Sequence, residues 1–156
     1  MRFLNVTIPK DAIIDSAYLK LLCSVSKATT TVNTNVVGEA ADDAATFSTI
    51  ADFNGRGRTV SVAWNNIPAW TAAVEYSSPD IKTIIQAIVN RAGWSSGNDM
   101  ALFWEDNGTS AGNAINRQAS SFNLSAPNAP KLTVTWHLIV PIIMHHYNRI
   151  NKVIRG

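Results

Sequence analysis

Apolar and polar residues alternate along much of this chain, and the period of the alternation changes only once within the first 136 positions. Leu4, Val6 and Ile8 alternate with polar neighbours and stop at Pro9, which predicts a first strand. Residues 11–15 then turn the chain. Ala17, Leu19, Leu21, Cys23 and Val25 mark one face of a second strand, with Tyr18, Lys20, Leu22 and Ser24 on the other. Thr30 to Glu39 is rich in Thr, Val and Asn and predicts a third strand. A long connection over 40–58 follows. It offers a short helical turn over Ala40–Phe47 and a loop at Asn54-Gly55-Arg56-Gly57. Val60, Val62 and Trp64 predict a fourth strand, ended by the turn Asn65-Asn66-Ile67-Pro68, and Trp70 to Tyr76 reads as extended.

The period then shifts to that of a helix. Ile81, Ile84, Ile85 and Ile88 fall at i, i+3, i+4 and i+7, a single apolar stripe. Ser78-Pro79-Asp80 supplies an N-cap, a first-turn proline and an acid suited to the positive end of the helix dipole, and Gly93 supplies the stop. Alternation resumes at Met100, Leu102 and Trp104. Ala101 and Phe103 make that strand apolar on both faces, as in a central strand. Ile115 to Phe122 reads as a returning strand, and Leu132, Val134 and Trp136 close the series after a proline-containing turn at Ala126–Pro130. About seven or eight strands with one amphipathic helix predict a mainly β fold, a β-sandwich or jelly roll, over residues 1–136, followed by a C-terminal tail over 137–156.

With these elements placed, a likeness emerges. The string SPDIKTIIQAIVNRAGWSSGNDMALFW resembles that of the DNRLRE-type domains, β-sandwich modules akin to carbohydrate-binding modules and found in secreted, cell-surface and phage structural proteins. FLNVTIPKDAIIDSAYLKL, VAWNNIPAW and APNAPKLTVTW extend the likeness over roughly residues 2–136. The resemblance implies a non-enzymatic sandwich that serves either an assembly or a glycan. Such domains carry further N-terminal residues that pair as a strand. This chain begins almost on its first strand, which implies a trimmed fold or a strand supplied by another chain through β-augmentation.

Composition narrows the functional classes. Charged residues are only 15% of the chain and the formal net charge is +2. Arg149, Lys152 and Arg155 lie in the tail with no acid, which leaves ten basic against eleven acidic residues elsewhere. A nucleic-acid-binding surface needs a richer basic face, so no nucleic-acid partner is expected. The longest apolar run, Leu138–Met144, is broken by Pro141 and is too short to cross a bilayer. MRFLNVTIPK lacks the apolar core of a signal peptide. A virion or extracellular surface remains the expected location, since virus particles assemble in a cytoplasm.

Candidate chemistry is sparse. Three glutamates and scattered aspartates do not form the paired carboxylates of a glycosidase, and the histidines fall in the tail, away from a rigid scaffold, so no catalytic residue is assigned. His137, His145 and His146 have no nearby Cys or acid in sequence to complete a metal site, and no cofactor is expected. Glu105-Asp106-Asn107-Gly108-Thr109 is oxygen-rich, but its spacing is that of a hairpin loop rather than of an EF-hand. The lone Cys23 sits within an apolar alternation and reads as a small core hydrophobe. The sequons at Asn5, Asn107 and Asn123 carry no weight without a secretory signal. Trp64, Trp104 and Trp136 lie on strand alternations and read as core, Trp94 as a packing residue at the helix end. Trp70, beside Pro68, is the candidate exposed platform for stacking on a sugar.

The tail changes style. Ile143, Tyr147, Ile150 and Ile154 are spaced as the seam of a coiled coil, and Arg149, Lys152 and Arg155 interleave with them. So short a helix is marginal alone and needs a partner. The expected function is therefore a structural or decoration subunit of a virion (phage-like) or other extracellular assembly. These tail residues dock it on other subunits, in a homo-oligomer or on a capsid or tail protein. The alternative is a carbohydrate-binding module acting through Trp70.

Overall fold

The computed structural model describes residues 1–27, 32–110 and 116–139. Two antiparallel sheets face one another as a β-sandwich. In the first, β1 (Arg2–Phe3), β6 (Met100–Asp106), β3 (Val32–Glu39) and β4 (Arg58–Ile67) lie in that order. The second is organised on the long strand β2 (Ile13–Val25). It pairs with β5 (Glu75–Ser77) on one side, and with β8 (Lys131–His137) and then β7 (Gln118–Ala119) along the other.

The alternation of β2 is what makes it the spine. Ala17, Leu19, Leu21 and Cys23 are all buried, and they meet Met100, Leu102 and Val36 of the opposite sheet in one continuous core. β6 is the central strand that its two apolar faces foretell. Met100 and Leu102 face the core, whereas Ala101 and Phe103 are buried on the outer face.

That outer face is covered by the 40–58 connection. Phe47 and Phe53 pack edge-on against Phe103 at 5.9 and 5.2 Å between ring centres. The guanidinium of Arg58 lies 3.7 Å from the centre of the Phe103 ring and donates to Glu105, while that of Arg56 covers Phe47 and joins Glu39 to Asp52. Arg56 holds the Asp52 carboxyl below the usual carboxylate range through their hydrogen bond, and its own ionisation is pushed up by the same bond. The helical turn here is α1 (Ile50–Gly55), not the expected 40–47. Thr49 accepts from the amide of Asp52, and Asp52 accepts from the amide of Ser48, a reciprocal cap that starts the turn about ten residues further on than expected.

The main helix, α2 (Lys82–Val89), is shorter than expected and is entered differently. Ser78 is not its N-cap. Its hydroxyl accepts from the amide of Leu19, and its amide donates to the carbonyl of Leu19, so Ser78 extends the pairing of β5 along β2. Asp80 accepts from the amides of both Ala17 and Lys82 and so ties the helix start to the same strand. The apolar stripe behaves as its spacing demands, with Ile81, Ile84, Ile85 and Ile88 buried between the sheets. A Cβ at Gly38 of β3 would stand 2.7 Å from a methyl of Ile84 and 2.8 Å from one of Ile88, so the helix's isoleucines rest directly on the strand backbone. Trp94 is buried behind the helix end and donates its indole N–H to the carbonyl of Ile8, as a packing role requires.

The N-terminal stretch departs from its expected strand. Only Arg2–Phe3 pairs regularly; Asn5 takes a left-handed conformation (φ 51°), which interrupts the extended run. Val6 still exchanges backbone bonds with Asn98 and Gly97, and Ile8 is buried, but Leu4 stands out of the core. The returning strand expected over 115–122 is reduced to Gln118–Ala119, with residue 115 outside the described residues.

Candidate assembly surface

Opposite α2, the sandwich has an open long side. Lys20 of β2 pairs with both Ser77 of β5 and Lys131 of β8, so β5 and β8 flank β2 on opposite sides. Ala17 and Leu19 send their carbonyls to the amides of Ile81 and Ser78, away from β8. By antiparallel alternation, Thr133 and Thr135 address β2, and the backbone groups of Leu132, Val134 and Trp136 point outward. Among the described residues nothing pairs with that outer edge.

The side chains of Leu132, Val134 and Trp136 line one wall of a groove of about 320 Å³, and residues 3–8 line the other. A wider hollow of about 740 Å³ adjoins it, since Phe3 and Leu4 line both. Its further walls include Phe47, Phe122 and Pro130. Leu4 is 60% exposed and Phe122 68%, and Leu138 and Ile139, which follow directly from β8, are exposed as well. Such a run of uncovered apolar side chains marks an interaction surface more often than a free face.

On the outer face of β8 the charges are paired. Lys131 donates to Glu75 at 2.9 Å, with Lys20 on the same carboxylate at 3.7 Å. The Lys131 bond, with the two lysine charges, holds the Glu75 carboxyl below its ordinary range. His137 contacts Asp15 at 2.9 Å, and Ser16 shares a hydrogen with Thr135.

The proposed tail contacts Ile143, Tyr147, Ile150, Ile154, Arg149, Lys152 and Arg155 lie outside the described residues. What the structure places is their root, at the lip of the groove where β8 ends.

The structure corrects the expectation for Trp70. It is 2% exposed, stacked on Tyr76 at 4.6 Å and 5° and on Trp104 at 5.6 Å, with Trp64 beside it. The backbone bridge between Lys27 and Trp70 draws the loop inward and turns the ring into the core, so Trp70 offers no face to a sugar. Trp136 departs in the opposite direction. Its strand alternation aims it inward, but at 38% exposure it lines the open groove because no further strand among the described residues covers it.

Elsewhere the candidate chemistry resolves into structure. Glu105 is occupied by Arg58, and Asn107 accepts from both the amide and the hydroxyl of Thr109 within its own turn. Among the described residues no group of three His, Cys, Asp or Glu is placed to hold a metal ion, and no helix is long and apolar enough to cross a membrane. Cys23 is buried at the end of the β2 stripe, as a small hydrophobe would be. No family model, curated protein or solved structure matches this chain.

Sequence reasoning did not assign Leu4, Phe122 and the β8 edge to a surface. The alternation of Leu132, Val134 and Trp136 was a visible signal, but alternation does not say whether a strand has one neighbour or two.

Proposed function

We propose that this chain is a non-enzymatic structural or decoration subunit of a virion-like or other extracellular assembly, a DNRLRE-type sandwich attached to other protein subunits through its C-terminal segment. The observation that carries this reading is the open apolar side at the root of that segment. The chain leaves β8 through exposed Leu138 and Ile139, beside a groove and hollow lined by Leu4, Phe122 and Trp136. An exposed apolar surface continuous with an apolar, then basic, tail suits a subunit that docks, and Ile143, Tyr147, Ile150 and Ile154 are the residues assigned to the contact. Burial of Trp70 removes the residue on which the glycan alternative was built.

The test is the solution mass of the full chain against a chain ending at Ile139, by light scattering coupled to size exclusion. Assemblies larger than a dimer are expected for the first and lost in the second, with the circular dichroism of the sandwich retained. Equal masses for the two chains overturn attachment through the tail.

A further inference from the structure

β8 carries few of the devices by which exposed edge strands avoid pairing, and the one irregularity of its ladder lies on β2, between Ile14 and Ser16. It holds no proline, its middle is uncharged, and the polar side chains at its ends, Lys131 and His137, are already engaged by Glu75 and Asp15. Its outward backbone groups belong to Leu132, Val134 and Trp136, an evenly spaced set centred on Val134.

The strand is also self-complementary in residue type about that centre. Read in either direction from Val134, it runs threonine, then a large apolar residue, then a basic or imidazole side chain. A twofold axis through Val134 sets two copies antiparallel in a register that uses every outward backbone group. Val134 then faces its own counterpart and Leu132 faces the partner's Trp136, each pair exchanging both backbone bonds. Thr133 lies opposite the partner's Thr135 in the close, non-bonded position.

Charge agrees with this register. Lys131 and His137 project on the same outer face, and Asp15 sits against His137. The twofold sets Lys131 of one copy opposite the partner's His137, twice by symmetry, so that a cation meets an imidazole already held against the Asp15 carboxylate rather than a second cation.

We propose that β8 pairs edge to edge with β8 of a second copy of this chain, antiparallel about Val134, joining the two β2 sheets into one. The pairing is separate from the tail and does not rest on it. A seven-residue edge is a small interface, weak in dilute solution and effective where many copies are held together.

Two double variants of the full chain test the register. T133K/T135K places like charges opposite each other across the axis, and T133E/T135K places opposite charges there. Sedimentation equilibrium over a concentration series is expected to show the first weakened by about tenfold or more relative to the second. Both are read only where circular dichroism matches the unsubstituted chain. Hydrogen exchange on the unsubstituted chain is the second measurement. The amides of Leu132, Val134 and Trp136 are expected to become protected as concentration rises. Equal association of the two variants overturns the pairing. So does protection independent of concentration, which would mean that the chain's own C-terminal segment covers the edge, or no protection at all. The double variants differ from each other only in the charge at position 133, so their contrast is unaffected if attachment through the tail fails.

Discussion

On the side of the sandwich where β2 approaches β4, α2 lays Ile81, Ile84, Ile85 and Ile88 between the sheets, and Gly38 lets the side chains of Ile84 and Ile88 rest on the backbone of β3. On the opposite side, β8 and residues 3–8 face each other across a groove, with Leu4 and Trp136 in partial contact with water. The two sides have similar apolar content and different fates. In the helix, side chains on one stripe all point one way, so a single element fills the gap. On the β8 side the apolar residues of β8 belong to a strand at the end of its sheet, where half of the backbone groups also have no neighbour among the described residues. A closed side serves stability, and the open one leaves apolar side chains in contact with water.

The contrast is broken most directly at the closed side. Ile85→Ala removes fully buried atoms from the helix stripe, and a loss of about 2–5 kcal/mol in urea unfolding is expected. A loss below about 1 kcal/mol would show that the side can collapse and is not close-packed.

Acid sharpens the comparison from the second sheet. Glu75 holds Lys131 and Lys20 and thereby links β5, β2 and β8 across the outer face. Because its carboxyl is lowered in the folded chain, its stabilising effect is complete above the ordinary glutamate range. That effect is lost as pH falls through the lowered value. The stability advantage of the unsubstituted chain over Glu75→Gln should therefore shrink as the solution is acidified from neutrality, measured by thermal unfolding across a pH series. An advantage that persists after full protonation would assign Glu75 a role other than its charge.

The smallest effect on stability is expected on the open side. Leu4→Ser and Phe122→Ser alter exposed side chains and should move the unfolding free energy by no more than about 0.5 kcal/mol. The same changes should reduce the mass of the assembled species in light scattering. A large stability loss with unchanged mass would mean that this surface is core, and the comparison between the two sides would fail.

Legibility in the sequence followed how local each cause is. The helical stripe, the β2 alternation and the two-faced β6 are patterns of period 3.6 or 2, and burial follows from them directly. Trp94 was legible because its position after Gly93 places it behind the helix end. The N-cap was not, because Ser78 has a competing bond to Leu19, far away in sequence. The helical turn of the long connection was misplaced by about ten residues for a different reason. Its cap at Thr49–Asp52 was present in the sequence, but the turn forms where Phe47 and Phe53 can reach Phe103.

What the sequence determined by itself is the class of the fold: a mainly β chain with one amphipathic helix, and an apolar, basic segment after Trp136 that differs from everything before it. Only the tertiary structure decided which apolar residues are covered. The sequence settings of Trp70 and Trp136 suggest the reverse of what is found: Trp70 follows a proline in a connection, and Trp136 lies on a strand alternation. Trp70 is buried because Tyr76, Trp104 and Trp64 converge on it from other parts of the chain, and Trp136 is open because, among the described residues, its strand lies at the end of a sheet. Periodicity reports which face of a strand is apolar. The position of the strand within its sheet depends on pairings between residues a hundred positions apart, such as Ile14 with Trp136, and no local pattern records them.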